Sequence, residues 1–224
     1  MKSCWLTQEK KSSCILFLAG WSMDSIPFQV IPVSGHDLLM VYDYRQTEPA
    51  PIIKLIEKYE SLYLVAWSMG VWIAGNFFSE YKDLFTSSIA INGTLAPIDD
   101  QFGIPVKAFD SIINDFSPAV LDEFYRDMFN QQDQAQQFLN NRPGRSPESI
   151  LSELQTLRHL YSEHGPGEDI FDRKIVGSRD RIFPARSQLR CWGKENCERI
   201  QAAHFPFYDW SSLDLITGTG FQDS

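Results

Sequence analysis

The chain has 224 residues, 43% hydrophobic, 13% aromatic and 22% charged, a composition that excludes disorder, collagen and coiled coil and fits one domain over residues 1–224 with at most an inserted subdomain. Twenty Lys and Arg against 29 Asp and Glu give a net charge of −9, which lacks the basic surplus of a nucleic-acid binder. Every apolar run falls short of the roughly 18 residues of a membrane span, residues 1–11 lack the apolar core of a signal peptide, and four scattered cysteines make no disulfide framework or zinc knuckle; the expectation is a cytoplasmic protein without nucleic-acid or membrane partners.

Short apolar runs, each closed by turn residues, predict parallel strands. The first covers 14–19 and stops at Gly20. A second covers 38–42, ends in Asp43 and is followed by a segment, 51–60, with Ile52, Ile53, Leu55, Ile56 and Tyr59 at helical spacing. The third, 63–67, leads directly into an apolar helix-like stretch over 69–81. A fourth, 88–92, is closed by Gly93; a fifth is expected at 174–176 and a short sixth at 199–202. Strands alternating with helices predict an α/β fold with a mostly parallel sheet covered on both faces.

Between the fourth and fifth strands, from about 105 to 165, the chain reads as helices. Ser117-Pro118 and Ser146-Pro147-Glu148 are helix starts with Pro in the first turn, and the second helix runs through Leu151, Leu154, Leu157 and Leu160. The Pro-Gly stretch 140–145 separates them. A helical insertion at the carboxyl edge of an open α/β sheet lies where ligands bind, which predicts a lid; an extra layer covering the core is the alternative.

The most informative run is Tyr63-Leu64-Val65-Ala66-Trp67-Ser68-Met69-Gly70. A strand delivers a serine straight into a helix, with the small residues Ala66 and Gly70 two positions to either side, as a nucleophile elbow requires. The competing reading of Ser68 is a helix N-cap. A serine nucleophile needs a base, and the base a carboxylate to orient it. Asp180 falls in the loop after the fifth strand and His204 in the loop after the sixth, whereas His36 precedes a strand and His159 and His164 lie in the insertion. A capping aspartate and a structural histidine are the alternatives for Asp180 and His204. The order Ser, Asp, His is that of the α/β-hydrolases. Backbone N–H groups of Met69, after the serine, and of Trp21, in the Gly20 loop, are the expected oxyanion donors.

Ala19-Gly20-Trp21, Ala66-Trp67-Ser68-Met69-Gly70, Gly177-Ser178-Arg179-Asp180 and Ala203-His204-Phe205-Pro206-Phe207 together resemble the BioG-type pimeloyl-[acyl-carrier protein] methyl ester esterases, α/β-hydrolases of biotin synthesis. Trp67 and the phenylalanines after His204 are also similar to the BioH-type esterases. The resemblance implies Ser68 as nucleophile, His204 as base, Asp180 as orienting acid, Trp21 and Met69 as oxyanion donors, and an acyl-carrier protein bearing a methyl-ester pimeloyl chain as partner. No metal or organic cofactor is implied. Trp21, Phe124, Tyr125 and Phe129 are candidate substrate contacts, although helical spacing also suits the three insertion aromatics to core packing. An acidic carrier calls for a basic dock. Between 104 and 169 five basic residues stand against eleven acidic ones, and Arg142 and Arg145 are the candidate dock, with Arg126 and Arg158 next. The alternatives are another small-molecule α/β-hydrolase, such as a general carboxylesterase or a menaquinone-pathway enzyme, and a non-catalytic acyl-binding member.

Overall fold

Residues 1–210, Ser212 and Gly218 are described by the structure, a computed structural model; the rest of the expected 1–224 unit lies outside the described residues. In chain order the elements are β1 (Lys2–Thr7), β2 (Ser13–Leu18), β3 (Asp37–Tyr42), α1 (Ala50–Ile56), β4 (Ser61–Trp67), α2 (Met69–Phe77), β5 (Ser87–Ile91), α3 (Val106–Asn114), α4 (Pro118–Asp127), α5 (Gln132–Asn140), α6 (Pro147–His164), β6 (Arg173–Gly177), α7 (Ala185–Trp192) and β7 (Glu198–Ile200). The strands form one sheet in the order β1-β3-β2-β4-β5-β6-β7. β1 runs antiparallel to β3 and every other pair is parallel.

The central strands are apolar because both of their faces are covered. Leu16, Leu18, Leu64, Ala66, Ile89 and Ile91 are all buried, and α2 packs across β2 and β4. All six expected strands are present, with bounds displaced by a residue or two. The seventh, β1, is a half-buried edge strand whose Lys2-Ser3-Cys4-Trp5-Leu6-Thr7 pattern carries no continuous apolar run; its register, Lys2 opposite Tyr42, is set by β3. The helix expected over 69–81 is divided between α2 and a 3-10 helix, Ser79–Leu84.

The insertion contains four helices. Ser117 and Ser146 cap α4 and α6, accepting hydrogen bonds from the Val120 and Ser149 N–H groups, and each is followed by proline, whose missing N–H costs nothing in the first turn. Gly165 ends α6 with φ 68°, its N–H bonded to the Tyr161 carbonyl. Among the described residues no helix is long and apolar enough to cross a membrane.

Candidate active site

Backbone strain gathers at the carboxyl ends of the central strands. Ser22, Asp43, Ser68 and Asn92, which follow β2, β3, β4 and β5, all have positive φ although none is glycine; such residues persist only where their surroundings hold them, and they cluster at functional sites. Ser68 sits at φ 59°, ψ −127° and makes no side-chain capping bond to α2. The N-cap reading therefore fails. A Cβ on Gly70 would lie 2.3 Å from the Leu18 carbonyl oxygen, so Gly70 is required by close approach to that backbone; one on Gly20 would lie 3.0 Å from Ser68 Cβ and would crowd it.

His204 joins the two other residues expected beside it. Its Nε2 is 3.0 Å from Ser68 Oγ and its Nδ1 2.9 Å from Asp180 Oδ2. All three are buried, Ser68 at 5%, Asp180 at 6% and His204 at 1% exposure. Asp180 Oδ1 accepts from the Ile182 and Phe183 N–H groups, and Oδ2 also accepts from Gln188 Nε2 at 2.9 Å. Both carboxylate oxygens are thus engaged, Oδ1 by two backbone N–H groups and Oδ2 by Gln188 and His204. The His204 carbonyl accepts from Trp67 Nε1 at 2.8 Å and Asn92 Nδ2 at 2.9 Å, while Asn92 Oδ1 accepts the Gly177 N–H. Phe183 stacks on the His204 ring, 5.9 Å away and 9° from parallel. An imidazole held in this way can take a hydroxyl proton from one side while a carboxylate stabilises the resulting charge on the other.

Ser68 lies in the wall of a cavity of about 320 Å³, together with Trp21, Met69, Phe109, Phe124 and Phe183; Glu123, Asp127 and Arg181 are its charged lining. Phe124 meets Trp21 edge to face at 4.9 Å. Tyr125 and Phe129, expected as further contacts, are not in the lining. Tyr125 is turned toward Phe138, and burial pushes its hydroxyl up to about 12. Phe129 packs on Phe138, Phe205 and Tyr208, tying the α4–α5 connection to the His204 loop. Their helical spacing reflects packing of the insertion.

The expected basic dock is divided by the structure. Arg145 has a side chain only 6% exposed, with Nη1 2.6 Å from Glu153 Oε2 and Nη2 3.4 Å from Asp43 Oδ1; buried acids draw it inward, so it presents no charge to a partner. Arg142 is exposed but paired with Asp122 at 2.8 Å. Arg158 pairs with Asp110 at 2.8 Å. Arg126 instead lines, with Arg181, a groove of about 350 Å³; Arg181 also borders the Ser68 cavity.

Asn92, Gln188 and Glu153 carry no motif and were not expected at the site. Only Glu153 left a trace in the sequence. It occupies a position in the apolar stripe of α6 that also contains Ile150, Leu154 and Leu157, all buried, where a carboxylate has no place unless something pairs with it.

The parallel sheet, the strained serine at the end of β4 and the helical insertion after β5 define an α/β-hydrolase. A thermophilic esterase from Thermogutta terrifontis shares this fold, with a TM-score of 0.63 at 12% identity over 91% of this chain and 86% of its own. The crystal structure of BioG from Haemophilus influenzae matches with a TM-score of 0.82 at 26% identity, covering 96% of this chain and 99% of that one. Residues 1–214 match the family model described as pimeloyl-ACP methyl esterase BioG, and the chain belongs to that family. It is also 38% identical over 199 residues to a malonyl-[acyl-carrier protein] O-methyltransferase of Bacteroides fragilis strain 638R; the match takes in 89% of this chain but only 40% of that relative.

Proposed function

We propose that the chain is a serine carboxylesterase that hydrolyses the methyl ester of pimeloyl-[acyl-carrier protein], freeing the distal carboxyl of a biotin precursor, with the α3–α6 insertion of one α/β-hydrolase unit serving as lid. The observation that carries this reading is His204, bonded to Ser68 on one side and Asp180 on the other at the wall of an apolar cavity. Ser68 Oγ attacks the ester carbonyl as His204 Nε2 takes its proton. The carbonyl electrons move to oxygen, and the Met69 and Trp21 N–H groups donate hydrogen bonds to the oxyanion that forms. Collapse expels methoxide, which leaves as methanol with the proton from His204. Water, deprotonated by His204, then attacks the acyl-enzyme, and Ser68 departs with that proton.

Such a triad does not itself distinguish an oxygen ester from the thioester that joins the chain to its carrier. Selectivity comes from position. An apolar cavity accepts the methylene chain and its methyl cap, whereas a carrier held at the mouth keeps the thioester out of reach of Ser68. The B. fragilis relative supports the carrier: a malonyl-carrier O-methyltransferase, by its name, installs a methyl ester on a carrier-bound diacid, and hydrolysis of a carrier-bound methyl ester removes the same group.

Two measurements test this reading. A fluorophosphonate probe should label the wild type and not Ser68→Ala, and carrier-bound pimeloyl methyl ester should be hydrolysed with a kcat/KM at least about 100-fold above that for free short-chain methyl esters. Labelling that persists without Ser68 would remove it as nucleophile. Equal rates on both substrates would make the protein a general carboxylesterase.

A further inference from the structure

The loop that follows β2 and contains Trp21 is fastened largely from the insertion. Trp21 Nε1 donates to the Ile150 carbonyl at 2.9 Å, the Ser22 N–H to Glu153 Oε2 at 3.2 Å, and Arg145 Nη1 to the Met23 carbonyl at 3.3 Å. The Gly144 N–H reaches Asp24 Oδ2 at 2.7 Å. From the sheet side, Tyr44 Oη donates to the Ala19 carbonyl at 2.6 Å, while the Tyr44 N–H donates to Glu153 Oε1 at 3.0 Å. Glu153 is completely buried, and its two oxygens therefore bridge the ends of β2 and β3 from a helix of the insertion. Ser22 is held at φ 73°.

A buried ion pair is a poor way to gain stability, since desolvation offsets most of the attraction and apolar residues of the same volume serve as well or better. What it offers is direction. Each carboxylate oxygen fixes one N–H, and the guanidinium fixes a carbonyl one residue further on, so the pair sets the path of the chain on the C-terminal side of Trp21. Burial pushes the Glu153 carboxyl up, and the charge of Arg145 and the two N–H groups oppose that.

Resting on the proposed role of Trp21 as an oxyanion donor, we infer that Arg145 and Glu153 are positioning residues that aim the Trp21 N–H at the oxyanion through Ser22 and Met23. Neither residue lines the cavity. The insertion is accordingly part of the catalytic geometry as well as a cover over it, through the first two turns of α6.

Kinetics of Glu153→Gln and of the paired replacement R145M/E153L test the inference. Gln accepts at one of its two terminal atoms only, so one of the two N–H groups loses its partner; the apolar pair removes both charges and leaves neither buried alone. If the pair aims the donor, both variants lose about 10- to 100-fold in kcat with KM within about threefold. Their affinity for an alkyl trifluoromethyl ketone falls by the same factor as kcat/KM. That ketone reports the donor directly: Ser68 Oγ adds to its carbonyl carbon, His204 takes the serine proton, and the resulting alkoxide occupies the oxyanion position. Should Glu153→Gln fail to fold, R145M/E153L carries the test alone. Wild-type kcat in folded R145M/E153L, or a loss matching only its unfolded fraction, would overturn the inference. A wild type that bound neither the ketone nor a fluorophosphonate would overturn the Ser68 reading first, and this one with it.

Discussion

The grouping of Ser68, Asp180 and His204 was legible because each stands within four residues of the end of a strand, in consistent chain order; the residues that hold them were not, because their partners lie far away in sequence. Asn92 reaches the His204 carbonyl across 112 positions. Its φ of 47° makes Asn92→Gly informative, since glycine accepts that backbone freely while deleting the hydrogen bonds. Esterase kcat should fall about tenfold or more with KM little changed; an unchanged kcat would show that Trp67 Nε1 alone holds the loop. Ser68→Ala should abolish turnover, by roughly 10⁴-fold or more, and leave Tm within about 1 °C of the wild type, because it removes one oxygen and opens no core cavity. Gly70→Ala should instead unfold the elbow or lower Tm by several degrees, since the new Cβ meets backbone oxygen at 2.3 Å and backbone cannot yield as a flexible side chain would.

Among the elements, those with strong apolar periodicity or clear starts were predicted, and those defined by packing were not. The Ser-Pro starts marked α4 and α6, whereas α3 and α5 lack a side-chain cap and merge into a generally helical stretch. Asp43, at the end of β3, shows how an element end joins distant parts of the chain. It binds Lys2 of β1 at 3.0 Å, Arg45 at 2.7 Å and Arg145 of the insertion at 3.4 Å. Burial opposes its ionisation, but hydrogen bonds from Arg45 and Lys2 and the charge of Arg145 outweigh that and hold its carboxyl well below the usual range. A carboxyl depressed in the folded state contributes stability that is complete above the unfolded value, near 3.9, and lost as pH falls toward the folded one. Asp43→Asn, which tolerates the positive φ, should therefore lower Tm at pH 7 by about 2–6 °C. Thermal melts between pH 7 and 2 should show that difference shrinking below about pH 4; a gap constant with pH would mean that the ion pairs are not its source.

At the scale of the molecule, the fold was readable from the alternation of strand and helix, but the docking surface was not. Spacing along the chain brought Arg142 and Arg145 together, yet says nothing about which way each side chain of the α5–α6 linker turns, and Arg145 was claimed by the buried Glu153. With a net charge of −9, the chain would repel the acidic carrier of the proposed function overall, and docking would then rely on local positive groups within about a Debye length of 8 Å. On the proposed function, Arg126 in the groove beside the cavity is the residue to test, because Arg181 in the same groove is paired with Asp127 at 3.6 Å. Arg126→Glu should raise KM for carrier-bound substrate several-fold, more at low salt than at high, and leave a free methyl ester unaffected; equal changes on both substrates would place the dock elsewhere. The central claim, that Ser68 removes a methyl cap and spares the thioester behind it, is tested most directly by the mass of the carrier after incubation with enzyme. Wild type should leave pimeloyl-carrier lighter by one methylene group and otherwise intact, and Ser68→Ala should leave the methyl ester unchanged. Carrier returned with a bare phosphopantetheine thiol, or a methyl ester untouched by wild type, would contradict it.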